Sequence, residues 1–416
     1  MLYTVKKGDT VSRLSQIYGI PVSVIIAVNG LDKPDRLSIG QSLVLPQPSK
    51  IHTVQNGDTP HTIAKKYKIS VDNLLRNNPQ IGDSALLKEN DTVIISYQCD
   101  GNGEDIIVNG FSLPVPDRKS YRSAVPYQTH ETPFTYGVRA NGKLEGMEDE
   151  AILRKSLNNG IKPVMNLSSL NTDGSFDNAL VHLLLDNREY SDQLIESVLE
   201  TMLLKEYRAV LIDFQFLFSE YRQSFNGFIK RLKNTLAPYG LEVWISLAPR
   251  FNENDTLLQE GQDYCTLGEI ADKIHLLTYE WGYTFDDSLA VSPIDRVKTA
   301  LMNALEEIAP EKIILGIPTY GKDLAQTVDI PPQYLSNQEI LSLAYQNHAA
   351  IDFDDRTMSP YFSYRNGDGI HRVFFEDARS LSHKLALVRQ FGLAGISFWH
   401  LNDSPLPIQS YFLSCK

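Results

Sequence analysis

The stretch RAVLIDFQFLF, residues 208 to 218, has the Val, Leu, Ile and Phe content of a buried β-strand, yet its middle holds Asp213 and Gln215. Successive residues of a strand face opposite ways, so Leu211, Asp213 and Gln215 share one face. A lone Asp in such a strand is either held by structural hydrogen bonds or directed into a site. In a barrel, one face of each strand looks inward, and we therefore expect Asp213 at the barrel mouth.

Short runs of β-branched and aromatic residues alternate with helical patterns from Ile106 onward. Eight such runs predict an α/β fold, a (β/α)8 TIM barrel spanning residues 105–416, and a doubly wound sheet is the alternative. Residues 350–378 break the alternation, and the NGDG turn between their aromatic runs predicts a small hairpin insertion. The eight runs are IIVNGFSL, FTYGVR, KPVMNLS, AVLIDFQF, EVWISLAP, KIHLLTYEW, KIILGIPTYG and GISFWHL.

Polar and aromatic residues gather where these predicted strands end, which is where barrels carry their chemistry. Aromatic rings stack on the flat faces of sugars, and polar groups bind hydroxyl and acetamido substituents, so the set suits a carbohydrate. Aromatic residues at strand ends also fill the top layer of a barrel, and that alternative stays open. The candidate substrate contacts are Tyr136, Asn166, Arg250, Glu280, Trp281, Tyr320 and Trp399.

The first 97 residues contain an internal repeat. YTVKKGDTVSRLSQIYGIPVSVIIAVNG from Tyr3 matches HTVQNGDTPHTIAKKYKISVDNLLRNNP from His52. Each copy predicts a strand, a Gly-Asp-Thr turn that caps a helix, a second helix and a closing strand. The copies, residues 1–47 and 51–97, resemble LysM domains, which implies binding to peptidoglycan or chitin, although the Gly-Asp-Thr triplet alone would be an ordinary turn. The glycan-binding candidates are Gly8, Asp9, Thr10 and Asn29, and Gly57, Asp58, Thr59 and Asn78.

Composition and charge exclude several classes of protein. The net charge is -12, with 11 Lys and Arg against 8 Asp and Glu in residues 1–97 and 28 against 43 in the remainder, which argues against nucleic-acid binding and for two kinds of unit. The three cysteines form neither a disulfide framework nor a metal cluster. No glycine-rich phosphate loop or metal-ligand spacing occurs, so we expect no cofactor and no metal.

The order of motifs beyond the repeat resembles glycoside hydrolase family 18, specifically its LysM-bearing spore-cortex and cell-wall N-acetylglucosaminidases. These motifs are VNGFSLP, NLSS, IDFQF, APR, LLTYEWGY, ILGIPTYG, SPYFSYR and GISFWHL. In this family the acetamido carbonyl of the substrate attacks the anomeric carbon, so the protein supplies no nucleophile. The resemblance implies that Asp213 orients and polarises the acetamido group, that Tyr279 donates a hydrogen bond to its oxygen, and that Trp399 forms the floor of the sugar site.

The strand-four signature of the family, D-x-x-D-x-D-x-E, places its terminal glutamate, the proton donor, at Gln215. An amide cannot release a proton, so we expect glycan binding with impaired hydrolysis. Leu211 stands where the family usually has Asp or Asn, which is expected to favour the neutral form of Asp213. An active N-acetylglucosaminidase with a substitute acid, Glu280 or less favourably Glu220, is the alternative. A third interpretation is a glutamine introduced to trap bound sugar.

The resemblance also implies partners and a location. The expected partners are peptidoglycan or spore-cortex glycan and chitin-type oligosaccharides, with no nucleic acid and no membrane. The N-terminal MLYTVKKGDT lacks the apolar core of a signal peptide. The family's spore proteins are made in the mother cell and deposited around the forespore, so we expect the coat and cortex boundary or the cell wall.

Overall fold

The computed structural model describes most of the chain. The described residues are 1–81, 87–98, 106–114, 124–169, 177–215, 217–251, 260–279, 290–326, 330–367, 369–402, 406 and 409.

Two small α+β units occupy the N-terminal repeat, each with two helices packed on a two-stranded antiparallel sheet. Thr10 and Thr59 begin the first helix of each unit, because their side chains accept hydrogen bonds from backbone N–H groups three residues on. The first unit contains β1 (Leu2–Thr4), α1 (Val11–Tyr18), α2 (Val22–Val28) and β2 (Ser42–Val44). The second contains β3 (Pro48–Thr53), α3 (Pro60–Tyr67), α4 (Val71–Asn77) and β4 (Thr92–Tyr97).

A closed barrel of eight parallel strands follows, as predicted for a (β/α)8 fold. In chain order its strands are β5 (Ile107–Ser112), β6 (His130–Pro133), β9 (Lys162–Ser168), β10 (Ala209–Asp213), β11 (Glu242–Leu247), β12 (Lys273–Leu276), β13 (Ile313–Pro318) and β19 (Gly395–Trp399). Its helices are α5 (Glu150–Asn158), α6 (Asn178–Asp186), α7 (Arg188–Lys205), α8 (Arg222–Leu236), α9 (Tyr264–Ile270), α10 (Ile294–Leu305) and α12 (Ala378–Phe391). Short 3-10 turns lie at Pro79–Ile81, Val125–Tyr127, Ser219–Tyr221, Ala237–Tyr239 and Pro310–Lys312.

The second barrel strand differs from the prediction. The run FTYGVR was expected to form it, but the strand is β6, and part of FTYGVR instead forms β7 (Gly137–Val138), paired with β8 (Leu144–Glu145). The sequence of β6, HETP, lacks an apolar pattern, and the strand can be buried because its polar side chains form hydrogen bonds inside the protein. Glu131, fully buried, accepts hydrogen bonds from Ser112 and Ser156.

The predicted hairpin is part of a larger insertion before the last helix. It contains β14 (Tyr320–Ala325), β15 (Gln333–Ser336), α11 (Asn337–Gln346), β16 (Asp352–Asp354), β17 (Ser359–Asn366) and β18 (Gly369–Phe374). The strands form one antiparallel sheet in the order β15-β14-β18-β17-β16, and β17 and β18 are the expected hairpin. Helix α11 begins with a capping box between Ser336 and Glu339.

The first N-terminal unit is seated directly on this insertion. The backbone N–H of Ile351 donates to the carbonyl oxygen of Ile39 at 2.8 Å. Next to it, Gly40 has φ of +83°, and a Cβ there would lie 1.8 Å from the carbonyl oxygen of Ile351, so only glycine fits. The second unit also meets the barrel, since the Tyr127 hydroxyl donates to the carbonyl oxygen of Arg76 at 2.5 Å.

The described part of the chain contains no single helix that is long and apolar enough to cross a membrane. Helices α1 and α2, which bend by 113° at their break, meet that length and composition test only as a pair.

Candidate active site

The two faces of β10 pack as the alternation of its residues predicts. Ala209 and Leu211 lie in a cluster inside the barrel with Trp244, whereas Val210 and Ile212 belong to the core beneath the helices. The inward face therefore ends in Asp213 and then Gln215 at the C-terminal edge of the barrel.

Gln215 is bonded directly to Asp213. Its Nε2 donates to the Asp213 Oδ1 at 2.5 Å, and both residues are largely but not fully buried. Burial raises the pKa of Asp213 to about 6, while hydrogen bonds from Gln215 and Ser246 act in the opposite direction. Asp213 is thus ionised at neutral pH and protonated below about pH 6. The pKa is shifted in the direction expected from the apolar Leu211 on the same face of the strand.

Two further polar residues of the barrel interior lie close to this pair, and the sequence analysis did not identify them. Ser246 on β11 contacts His275 on β12, with 3.3 Å between Oγ and Nδ1. Burial lowers the pKa of His275 to about 3, so the imidazole is neutral. Both stand at inward positions of apolar strands, which is the same signal that marked Asp213. Tyr279, also buried, places its ring centroid 6.4 Å from that of His275.

Trp399 is the last residue of the last barrel strand, and its ring packs against two phenylalanine rings. Its ring centroid lies 4.6 Å from that of Phe134 and 5.0 Å from that of Phe111, both in edge-to-face contact. Trp399 and Tyr320 line one cavity of about 330 Å³, so the structure brings these two predicted contacts together. Tyr334, Ser336, Glu339 and His400 are among its other lining residues, and Tyr334 packs edge-to-face on Tyr320 with centroids 5.5 Å apart. We refer to this as the barrel-mouth cavity.

Asn166 lies deeper than expected. It is fully buried on β9, in register with Leu211 of β10, and neither atom of its amide has a hydrogen-bond partner among the described residues. Such a buried amide costs about 1–3 kcal/mol when left unpaired. The apolar Leu211 offers it no partner.

Two predicted sugar contacts are held elsewhere. The Tyr136 side chain, 2% exposed, packs in the core under the helices and donates its hydroxyl hydrogen bond to Asp149. The guanidinium of Arg250 bonds to Glu307 at 2.7 Å and lies 3.8 Å from the ring centroid of Tyr264. Arg250 follows the end of β11, and Tyr136 follows β6 instead of lying within a strand, but the side chains of both contact helices and loops on the outside of the barrel.

The candidates in the N-terminal units divide in the same way. Asn29 and Asn78 are buried, and each amide bonds the end of the second helix to the closing strand through three backbone hydrogen bonds. These asparagines thus have a structural role in each repeat. Asp9 accepts hydrogen bonds from Tyr3 and Lys6, and Asp58 accepts them from His52 and Gln55, which order the turns that contain Gly8 and Gly57. Thr10 and Thr59 are the helix caps.

Two predicted contacts, Glu280 and Trp281, lie outside the described residues. Glu220, the weaker candidate for a substitute acid, is exposed in a 3-10 turn beyond Gln215. Within the described ranges, no group of three or more His, Cys, Asp or Glu side chains converges as a metal site would.

Comparison with known proteins agrees with this architecture. The model of Glycosyl hydrolases family 18 matches residues 132–403, and the LysM domain model matches residues 3–46 and 52–96. The cortical fragment-lytic enzyme of Bacillus subtilis (strain 168) is 30% identical over 416 residues, covering 97% of this chain and 95% of that protein.

Two solved structures are similar over nearly the whole chain. The crystal structure of the spore cortex-lytic enzyme SleL of Bacillus megaterium QM B1551 has a TM-score of 0.80 and 27% identity and covers 99% of this chain and 97% of its own. That of Bacillus cereus SleL has a TM-score of 0.80 and 26% identity, covering 100% and 97%. With a polar barrel mouth, two LysM domains and these matches, the chain belongs to family 18 of the glycosyl hydrolases.

Proposed function

We propose that this protein binds peptidoglycan or spore-cortex glycan through N-acetylglucosamine units and is impaired in hydrolysing it. The observation that carries the proposal is the Gln215 amide, which donates to Asp213 where the family's proton donor is expected. In this proposal the two LysM domains, residues 1–47 and 51–97, attach the protein to the polymer. The barrel, residues 105–416, binds N-acetylglucosamine units of the same polymer.

The missing acid is the reason for the impairment. Substrate-assisted hydrolysis needs a group that orients the acetamido substituent and a group that protonates the leaving oxygen. Gln215 can donate a hydrogen bond to that oxygen but cannot transfer a proton. A positioned general acid is worth about 10²- to 10⁴-fold in rate, and the unmodified chain lacks this factor.

The binding half of the site is retained. Above about pH 6 the Asp213 carboxylate can accept a hydrogen bond from the acetamido N–H, since an ionised carboxylate has about four acceptor positions and Gln215 and Ser246 use two. Tyr279 supplies the hydrogen bond to the acetamido oxygen, and Trp399 supplies the floor. Gln and Glu are close in shape, so the substitution removes a proton and little else.

The experiment compares binding and turnover by the unmodified chain. We expect it to sediment with insoluble peptidoglycan while releasing no soluble fragments from peptidoglycan or purified cortex. The Asp213→Asn variant, which weakens recognition of the acetamido group, serves as the control for barrel-dependent binding. Fragment release by the unmodified chain at the rate of an active family member would contradict the proposal and favour an N-acetylglucosaminidase with another acid, for which Glu280 is the first candidate.

A further inference from the structure

A second, larger cavity of about 440 Å³ lies between the first LysM domain and helix α11 of the barrel insertion. One wall is the loop that follows α2 and includes Lys33, Arg36 and Gln41. The other wall is the face of α11 that carries Gln338, Ser342 and Tyr345. We refer to this cavity as the interdomain cleft. Neither unit forms it alone.

The two walls are fixed to one another by the backbone. A few residues after Arg36 in one wall and after Tyr345 in the other, the backbone N–H of Ile351 donates to Ile39, and Gly40 lies close to Ile351. Arg36 reaches across the cleft, and its guanidinium carbon lies 5.7 Å from the ring centroid of Tyr345. The cleft is therefore preformed, which lowers the entropic cost of filling it.

The interdomain cleft adjoins the barrel-mouth cavity. Glu339, at the first turn of α11, lines both cavities. Its carboxylate also accepts hydrogen bonds from the backbone N–H and the hydroxyl of Ser336, which lines the barrel-mouth cavity. The two cavities therefore meet at Glu339, and a linear polymer bound at Trp399 and Tyr320 that continues past this residue would reach the cleft.

The lining of the cleft suits a polar, uncharged chain. Side-chain amides and a hydroxyl come from Gln41, Gln338 and Ser342, and the ring of Tyr345, 37% exposed, offers a flat apolar face. The lining contains two cations, Lys33 and Arg36, and two carboxylates, Asp32 and Glu339, so it has no excess of either sign. Hydrogen-bonding groups beside an exposed ring are the features that bind N-acetylated sugars.

We propose that the interdomain cleft is a second carbohydrate subsite, built jointly by the first LysM domain and α11, that binds the N-acetylhexosamine chain continuing from the barrel mouth. The inference rests on the proposed function, because the chain that fills the cleft is the one bound at Trp399. It assigns the LysM domain a position along the substrate path in addition to attachment to the polymer.

The test is calorimetric titration of the full chain with the hexasaccharide of β-1,4-linked N-acetylglucosamine. We expect Arg36→Ala and Tyr345→Ala each to weaken binding about fivefold to tenfold. Because the two side chains contact each other, the double variant is expected to lose less than the product of the single losses. Arg13→Ala, the same change on α1 away from the cleft, should bind like the parent, and Tyr345→Phe should retain most of the affinity. Equal thermal unfolding temperatures exclude loss of folding.

The outcomes separate this inference from the proposed function. If Trp399→Ala weakens binding but Tyr345→Ala has no effect, the barrel-mouth site stands and the joint subsite is wrong. An effect of Arg36→Ala without one of Tyr345→Ala also overturns it, because the LysM domain would then act alone. If the parent does not bind the hexasaccharide, the proposed function fails and the subsite fails with it.

Discussion

Replacement of Asp213 by asparagine tests whether the folded protein holds this carboxylate at a cost in stability. Burial raises its pKa to about 6 from the ordinary value of 3.8. One pKa unit corresponds to about 1.36 kcal/mol, so the shift of roughly two units is worth up to about 3 kcal/mol. The folded state binds the proton more tightly than the unfolded state. The contribution of Asp213 to the free energy of unfolding therefore falls as the pH rises from about 4 to 6 and is constant above.

Asparagine is neutral at every pH and can still accept a hydrogen bond from Gln215. We expect Asp213→Asn to match the parent near pH 4 and to be more stable by up to about 3 kcal/mol at pH 7. For a barrel of roughly 300 residues, with about 2.1 cal/mol/K per residue, the gain corresponds to about 4–5 °C in unfolding temperature. Thermal unfolding of both proteins from pH 4 to pH 8 measures the difference.

Asp9→Asn is a control of opposite sign. The hydrogen bond from Tyr3 lowers the pKa of Asp9, so this carboxylate stabilises the fold above its unfolded pKa, and the contribution is lost as the pH falls. The Asn variant should be less stable than the parent at pH 7 and should approach it in acid. A difference in stability between Asp213→Asn and the parent that stays constant from pH 4 to pH 7 would show that folding does not raise the pKa of Asp213.

Three other variants test the remaining contacts. Trp399→Ala should weaken trisaccharide binding by about tenfold, roughly 1.4 kcal/mol, while Trp399→Phe retains most of it; equal affinities would remove Trp399 from the site. Gly40→Ala adds a backbone clash to the cost of about 1 kcal/mol for positive φ and should lower the unfolding temperature well below that of Gly8→Ala, which has a similar φ and open space; equal temperatures would contradict the tight docking. Asn78→Ala leaves buried backbone groups unpaired and should cost about 2–4 kcal/mol in denaturant unfolding, against little for the exposed Asn73→Ala; similar losses would contradict its structural role.

The barrel and the position of Asp213 could be predicted because their signals are local. Alternation along β10 separates the inward face of Leu211 and Asp213 from the outward face, and it needs no knowledge of distant residues. The strand β6 could not be predicted in the same way. Its sequence HETP is polar, and the partners that allow Glu131 to be buried, Ser112 and Ser156, are far along the chain.

Side-chain direction limited the prediction of the site. Tyr136 and Arg250 follow strand ends, but their partners, Asp149 and Glu307, come from tertiary packing that a pattern of residue types does not contain. The repeat had a related ambiguity. An asparagine, Asn29 or Asn78, occurs at the same place in each copy and hydrogen-bonds a helix to a strand, and recurrence alone does not separate that role from glycan binding.

The contact between the first LysM domain and the barrel insertion could not be predicted from the sequence either. Gly40 looks like any turn glycine, and nothing near it identifies Ile351 as a neighbour. The structure makes this contact the basis of a preformed cleft beside the barrel mouth. The joint subsite proposed above depends on this contact, because the contact fixes the two walls of the cleft.

We propose that the amide of Gln215 impairs hydrolysis, and the variant Gln215→Glu supplies the carboxylic acid that the barrel lacks at this position. We would compare the parent, Gln215→Glu and the double variant Gln215→Glu with Leu211→Asp. The two measurements are release of soluble fragments from purified cortex and release of the aryl group from an aryl N-acetylglucosaminide. Gln223→Glu, the same change at an exposed position, is the control. We expect both variants that carry Gln215→Glu to hydrolyse cortex about 10²- to 10⁴-fold faster than the parent and the control, with unchanged binding. Turnover of cortex by the unmodified chain at the rate of Gln215→Glu would contradict it and show that the proton comes from another residue.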